Sequence, residues 1–444
     1  MSQKLLADAS PEKRLFVSLI TRDIPLIAAF LDLVDNSINS AVEKYADRLR
    51  SAKGYLSVFN DDNIIPDVEI TLSVDKNRVS IADTASGISA QTAKEHVFKF
   101  GRSSDETHEA DRLSVYGIGL KRALFKLGNQ ITMRSEHVDG GFDLELNVSK
   151  WEKDNSVPWT FEITAREPVK ASETGTKITV TQLYDNTSRR IIDGAFLGEL
   201  RNEIARTYPY FISKFVTILL DGDEIQGIDL EVGSNHTTKQ FLVNGVDCAI
   251  TAGIGVPKSG GFKDQSSGWF VFCNGRAVVF SDKSTLTGWG GAGLPIFQPK
   301  HRPFLGTVFF VSDNPENLPW TTTKSGINVD SAIWQEAKRE MVTVAREVIR
   351  FLDRRYSDEG TEVASSDLIK AAGKKTNILS AVVPTRKSFS APRVPENKTV
   401  RIQHDEKSTD IKKIAEYLKK PGMGAAQVGR HTFHHFLKNE VGED

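Results

Sequence analysis

The segment FLDLVDNSINSA, residues 30–41, places Asp32, Asp35, Asn36 and Asn39 at i, i+3, i+4 and i+7. On a helix these positions form one polar stripe on an otherwise apolar surface. A carboxylate and a carboxamide one turn apart can divide a task. The first polarises a water, and the second reaches a metal through its amide oxygen. The stripe alone also fits a solvated helix face. In IADTASGIS, residues 81–89, Asp83 ends a strand and Gly87 follows four residues later. Asp83 can accept from an exocyclic amine, and Gly87 lets a ring approach the backbone. The same letters alone also describe a strand-to-helix turn.

A third piece is FGRSSDETHEADRLSVYGIGLKRA, residues 100–123. A polar loop is bracketed by glycines, and Gly117-Ile118-Gly119-Leu120-Lys121 opens a helix at its far end. Free N–H groups at a helix start bind phosphate, and glycines let the backbone come close. Lys121 and Arg102 add positive charge. A lone Gly-x-Gly before a helix is a weak signal. The fourth piece, TGTKITV at residues 174–180, is a Gly-Thr step into a strand and is uninformative by itself.

The elements that must position these residues follow from periodicity and punctuation. Residues 11–50 read as helix, with Ser10 as cap and Pro11 in the first turn. Strands are expected at 68–74 and 78–82 around an Asp75-Lys76-Asn77 turn. Helix is expected at 89–100, loop at 101–114, and helix at 117–127. Strands follow at 129–137, 141–149, 158–166 and 176–182, then helix at 188–208. Beyond Tyr208-Pro209 the chain turns β-rich, at 215–220, 224–225, 238–243, 247–255, 268–273, 276–280 and 304–311. A helix at 331–355 closes this part. Residues 357–408 lose periodicity and read as a linker. Short helices at 409–420 and 424–438 end the chain, and no internal repeat is visible.

Taken in order, the four pieces resemble the GHKL ATPase superfamily. That superfamily includes the gyrase B subunit, MutL, the ninety-kilodalton heat-shock chaperones, MORC proteins and histidine kinases. LVDNS, FGRSS and GIGLK look most like the MORC and MutL branch, and the resemblance spans about residues 15–185. It implies an α/β (α+β) protein, with a Bergerat-type α/β sandwich ATPase domain at 1–208 and a ribosomal-S5-like transducer domain at 209–356. A flexible linker at 357–408 and a helical tail at 409–444 would follow. It implies ATP and Mg²⁺ as cofactors. Asn36 would hold Mg²⁺, Asp83 would take the adenine amino group, and Gly87 would pack on the base. Gly101, Arg102, Gly117, Gly119 and Lys121 would form the ATP lid, and Thr176 would support Asp83.

Two departures stand out. The family's general base is usually Glu, four residues before the metal-binding Asn, and here that position is Asp32. One methylene less shortens the reach by about 1.5 Å, and a misplacement of that order costs ~10²-fold in rate. Slow turnover is the expectation, with Asp35 orienting rather than catalysing. The second departure is Ala85, where many members carry Gly; Ala is small enough for nucleotide to fit. Further on, FVFCNGRAVV (270–279) is similar to the strand-Asn-Gly-Arg hairpin of the MutL and gyrase transducer. In LPWTTTKSGINVDS (318–331), Lys324 stands where a transducer lysine reaches the γ-phosphate. An exposed loop lysine is the plainer alternative.

The implied function is a slow ATPase acting as an ATP-gated, dimerising switch. It would clamp DNA or a partner protein that supplies the effector activity, in genome maintenance or antiviral defence. A nucleotide-gated scaffold without useful hydrolysis is the second reading. A histidine-kinase-like phosphotransferase is the third, although no phosphoacceptor-His helix precedes residue 30.

Composition bounds these readings. The chain has 444 residues and a formal net charge of −1, which argues against a polyanion-binding protein of histone type. Residues 361–444 nonetheless carry +5 and the remainder −6. Lys412, Lys413, Lys419 and Lys420 crowd one tail helix, so DNA contact is a candidate there as much as a solvated face. Lys283, Lys300, His301 and Arg302 add a basic patch, and GWGGAGLP (288–295) reads as a flexible loop. His431, His434 and His435 lack a completing Cys or carboxylate and read as a helical partner surface. Cys248 and Cys273 read as buried apolar residues and fit a cytoplasmic protein. No apolar run or leader suggests a membrane or export, and no P-loop is present.

Overall fold

The computed structural model describes residues 12–45, 66–101, 113, 117–154, 158–257, 261–291, 293–358, 368, 371–379, 388–391 and 402–442. Ser10 and Pro11 lie outside the described residues, as does Arg102 with most of the lid.

The first helical stretch is two helices, α1 (Lys13–Thr21) and α2 (Leu26–Lys44), not one. Pro25 makes the break. It has no N–H to donate within a continuous helix, but its fixed φ suits the start of a new one. The polar stripe lies on α2, whose Phe30, Val34, Ile38 and Ala41 are fully buried. The helix therefore has no solvated long face, and even Asp32, Asp35 and Asn39 are buried.

Under it runs an eight-stranded sheet in the order β5-β4-β3-β6-β2-β1-β7-β8. Its strands are β1 (Val68–Val74), β2 (Arg78–Asp83), β3 (Gly128–Glu136), β4 (Phe142–Asn147), β5 (Ile163–Ala165), β6 (Gly175–Leu183), β7 (Val216–Leu220) and β8 (Asp223–Glu224). Strand β1 alternates apolar and polar letters because only one of its faces meets the core. A short helical stretch, Ala90–Thr92, continues into a π-helical turn, Ala93–Val97. Helix α3 (Gly119–Leu127) packs beside α2, and α4 (Val148–Lys153), α5 (Asp185–Ile191), α6 (Phe196–Thr207) and α7 (Pro209–Lys214) follow.

The first sheet continues past the expected boundary at residue 208. Strand β7 pairs parallel to β1, from Val68↔Val216 to Leu72↔Leu220, so the first sheet extends through β8. A parallel partner this far along the chain leaves no local signal.

A second, six-stranded sheet has the order β12-β11-β13-β10-β9-β14. Its strands are β9 (Glu231–Val243), β10 (Val246–Gly255), β11 (Gly268–Cys273), β12 (Arg276–Asp282), β13 (Phe304–Val311) and β14 (Lys375–Asn377). Strand β11, GWFVFC, is buried at every position, so it reads as a continuous apolar run rather than an alternation. Helix α8 (Ala332–Asp358) packs on β9, β10 and β13. The two sheets together are a mixed α/β architecture consistent with a GHKL-type sandwich in the N-terminal part. Among the described residues, no helix is long and apolar enough to cross a membrane.

The expected linker is not featureless. Strand β14 pairs with β9, and Phe389 is buried against the same unit. Contacts divide the chain into Met1–Pro392 and Arg393–Asp444. The second unit holds α9 (Ser408–Tyr417) and α10 (Ala425–Phe436). His431, His434 and His435 lie on α10, with its Phe433 and Phe436 exposed.

Gly233 is what allows β14 to close on β9. A Cβ there would come within 2.1 Å of the Ala372 carbonyl oxygen. Gly233→Ala should therefore destabilise the protein by about 1–3 kcal/mol and make residues 371–379 more sensitive to limited proteolysis. An unchanged melting temperature and cleavage pattern would show that this segment is a free linker.

Candidate functional site

Two buried carboxylates on α2 organise the site, and each has its own guanidinium. Asp32 is paired with Arg122 of α3: Nε and Nη2 both donate to Oδ2, at 2.8 and 2.5 Å. Its Oδ1 makes no hydrogen bond among the described residues. That oxygen faces the start of α3, where a Cβ on Gly119 would lie 3.5 Å away. Burial pushes the Asp32 carboxyl above its ordinary value. Lys324 and Arg122 offset part of that rise, while neighbouring Asp35 adds to it.

Asp35 lies one turn on and is only 2% exposed. Its Oδ1 accepts from the Tyr208 hydroxyl at 2.7 Å and from Arg276 Nε at 2.9 Å. Its Oδ2 accepts from Lys324 Nζ at 2.7 Å. Burial alone would raise this carboxyl, but the Arg276 and Lys324 cations hold it below the ordinary range. Arg276 also donates through Nη1 to the backbone carbonyl of Lys324 at 2.6 Å.

Lys324 is therefore not an exposed loop lysine. It stands at the tip of a tight turn closed by Lys324 N–H to Thr321 O and Thr321 N–H to Gly326 O. Trp320 is buried at the base and donates to the Pro315 carbonyl.

Asn36 is half-buried. Its Nδ2 donates to the Asp32 carbonyl at 2.7 Å. That bond fixes the flip of the amide and turns Oδ1 away, free to meet a hard cation. Among the described residues, no group of three or more His, Cys, Asp or Glu could hold a metal. A magnesium ion here would depend on this one side chain and on its ligand's own oxygens, as Mg²⁺ sites with substrate phosphates commonly do.

At the other end, Asp83 closes β2 and faces Thr176 of β6 across the ladder. Asp83 Oδ2 accepts from Ser37 Oγ at 2.8 Å. Its Oδ1 accepts from the backbone N–H groups of Ala85 and Thr176, at 3.2 and 3.3 Å. A carboxylate has about four acceptor positions, so one remains for an outside donor. Burial pushes the carboxyl up to about 6. The Thr176 hydroxyl bonds Ser135 Oγ at 2.8 Å. Gly87 adopts φ 68° against the β3 end, where a Cβ would meet the Glu136 carbonyl oxygen at 1.9 Å. Only glycine fits there.

The lid glycines Gly101 and Gly117 both take positive φ, at 100° and 62°. They flank residues that lie mostly outside the description, Arg102 among them. Helix α3 begins with no side-chain cap on its first-turn amides. Lys121 is turned elsewhere: its Nζ donates to the carbonyls of Val97 and Lys99, at 2.8 and 2.5 Å, and it is buried. The structure thus brings together Asp32, Asn36, Gly119 and Lys324 at one end, and Asp83, Gly87 and Thr176 at the other. Lys121 fastens the π-helical segment instead.

Residues 25–176 match the family model described as "Histidine kinase-, DNA gyrase B-, and HSP90-like ATPase". Residues 25–176 form a GHKL-type ATPase domain. No curated protein matches the chain significantly. The ATPase domain contains every expected site residue except Lys324, which comes from the turn after β13. ATPase domains of this type bind ATP, typically with Mg²⁺. The residues present fit those groups, through the spare acceptor position on Asp83, the outward oxygen of Asn36 and the uncapped start of α3.

Four residues of the ATPase site and its surroundings escape the sequence reading. Arg122 directly follows Lys121, and only the α2–α3 packing shows that it faces Asp32. Ser37 is hidden inside the stripe, on a neighbouring face of α2. Tyr208 reads only as punctuation before a proline. Arg276 sits in the Asn-Gly-Arg hairpin, where the Asn-Gly turn is legible and the target of the Arg is not.

The raised Asp83 carboxyl gives a signed pH dependence. Accepting from an amine requires the ionised form, so nucleotide affinity should fall as pH drops through about 6. Stability of the nucleotide-free protein should move oppositely. The folded-state value lies above 3.8, so this contribution is full below 3.8 and lost as pH rises through about 6. Titrating ADP affinity between about pH 5 and 7.5 should show an inflection that Asp83→Asn lacks. The same inflection in both proteins would remove Asp83 from the base-binding role.

Proposed function

We propose that this protein is a slow Mg²⁺-dependent ATPase that works as an ATP-gated, dimerising switch on DNA or a partner protein. The observation that carries the reading is the shared face of α2. There Asp32 and Asn36 of the ATPase domain share a face with Asp35, whose Oδ2 accepts from Lys324, a residue of the turn between β13 and β14 of the second sheet. Three functions would meet at one spot: a carboxylate with a free oxygen, an amide oxygen for a cation, and an ammonium for charge.

ATP supplies the transferable phosphoryl group, and Mg²⁺ neutralises its charge. Arg122 holds one oxygen of Asp32 and leaves Oδ1 to take a proton from water. Asn36 offers its amide oxygen to the cation. Asp83 and Gly87 hold the base, and Thr176 supports Asp83. The uncapped amides at Gly119 would bind the phosphates, a role that the resemblance also assigns to the glycine-bounded lid and Arg102. Lys324 supplies positive charge at the γ position. Lys121 acts by fastening the segment before the lid.

Domains of this type commonly dimerise on ATP binding. The likeness of LVDNS, FGRSS and GIGLK to the MORC and MutL branch motivates the clamp, with genome maintenance or antiviral defence as its setting. The second sheet would then serve as an S5-like transducer.

Asp32→Asn should lower phosphate release by ~10² or more while leaving ADP affinity intact, with a melting curve to check folding. Hydrolysis unchanged in Asp32→Asn would exclude this carboxylate as the base. A specific observation favours the scaffold reading as a competitor: Asp32 is a short side chain whose Oδ2 is already occupied by Arg122. Tight ATP binding by the wild type with no phosphate release would decide for the scaffold. The switch itself is tested by sizing the protein with and without a non-hydrolysable ATP analogue. A doubling of mass is expected, and an unchanged mass would end the clamp proposal.

A further inference from the structure

We infer that Arg276 is the positioning residue through which the second sheet presents Lys324 to the ATPase site. The inference deepens the reading above and rests on it for its nucleotide consequences, but not for its structural ones.

Arg276 is 5% exposed and opens β12, directly after the Asn274-Gly275 turn. That turn is rigid. Both residues take positive φ, the pairing favoured in two-residue hairpins. Asn274 is also tied to Ser312 by two hydrogen bonds, both 2.9 Å. The guanidinium therefore leaves a fixed base.

Its two arms divide the work. Nε holds Asp35 of the ATPase domain at 2.9 Å, and Nη1 holds the Lys324 carbonyl at 2.6 Å. The planar fork of arginine suits this, since its donors keep a fixed angle to one another. Lysine carries all its donors on one nitrogen at the end of a flexible stem, so it lacks the spaced, planar pair that fixes both directions.

Lys324 needs such a hold. It has φ 55°, a left-handed conformation that is unfavourable for any residue carrying a Cβ. The bond to its carbonyl helps keep the residue in that conformation. The Nζ then reaches Asp35 Oδ2, on the face that carries Asp32 and Asn36. Arg276 itself contacts Asp35, Lys324 and the Tyr208 ring, the last at 5.7 Å. It is thus placed to act through Lys324 and Asp35.

The test uses the full chain with Arg276→Lys, which keeps a cation against Asp35, and Lys324→Ala. Hydrogen exchange on nucleotide-free protein comes first. Arg276→Lys should speed exchange of amides in 319–328 by about tenfold or more, with β11 and β13 still protected. Unchanged exchange in 319–328 would overturn the positioning role whether or not ATP binds. Global loss of protection would shift the measurement to Arg276→Gln, judged by the same criterion.

Nucleotide affinity comes second. The preference for ATP over ADP should fall about tenfold in Arg276→Lys and in Lys324→Ala, and no further in the double variant, with ADP affinity unchanged. Additive losses, or an equal loss for ADP, would show that Arg276 does not act through Lys324. A wild type that binds no ATP would refute the ATPase reading and this nucleotide consequence, while the exchange result would still decide the positioning.

Discussion

The carboxylate of Asp35 takes a negative charge into the protein interior, and much of the surrounding architecture follows from that. An unpaired buried charge is far too costly to keep, so partners must come from wherever the fold can supply them. Here they come from three distant places: Tyr208 between α6 and α7, Arg276 at the start of β12, and Lys324 in the turn beyond β13. One side chain on the first helix layer thereby ties three later segments to a single point. Arg276 and Lys324 both belong to the part of the chain that carries the second sheet.

The same helix carries the residues that would do chemistry. Asp32 is satisfied within the ATPase domain by Arg122, whereas Asp35 is satisfied largely from outside it. Two acids one turn apart thus serve opposite ends of the design. One stays local, with a free oxygen and a carboxyl raised by burial. The other is held ionised by its cations. Their mutual repulsion adds to the rise at Asp32, so the structural pair influences the chemical one without a shared hydrogen bond.

The ends of β2, β3 and β6 form a second fixed point. Asp83, Thr176 and Ser135 are linked by hydrogen bonds across adjacent strands, and Gly87 closes against Glu136. Neighbouring strand ends tied in this way hold their side chains in fixed positions, as the proposed recognition of a planar base would need. The adjoining region between Gly101 and Gly117 is bounded by two glycines at positive φ.

Much of this is legible in the letters. Periodicity locates most strands to within a few residues, because one-sided burial imprints an alternation and two-sided burial an apolar run. The DNS stripe, Asp83-x-x-x-Gly87 and the Gly-bounded lid point to nucleotide chemistry, because such chemistry constrains local types and spacings. Pro25 is a visible break that helical periodicity runs straight across. The pairing of β7 with β1, the closure of β14 on β9, and the targets of Arg122, Arg276 and Lys121 are not legible. Each depends on segments tens to hundreds of residues apart, and no local pattern records which cation meets which carboxylate. The sequence by itself determined the kind of domain and the residues able to serve it, since those are matters of side-chain type and short spacing. Only the tertiary structure decided that Asp35 is the anchor and Lys324 its partner, since burying a charge forces a choice among partners that only the folded chain brings within reach.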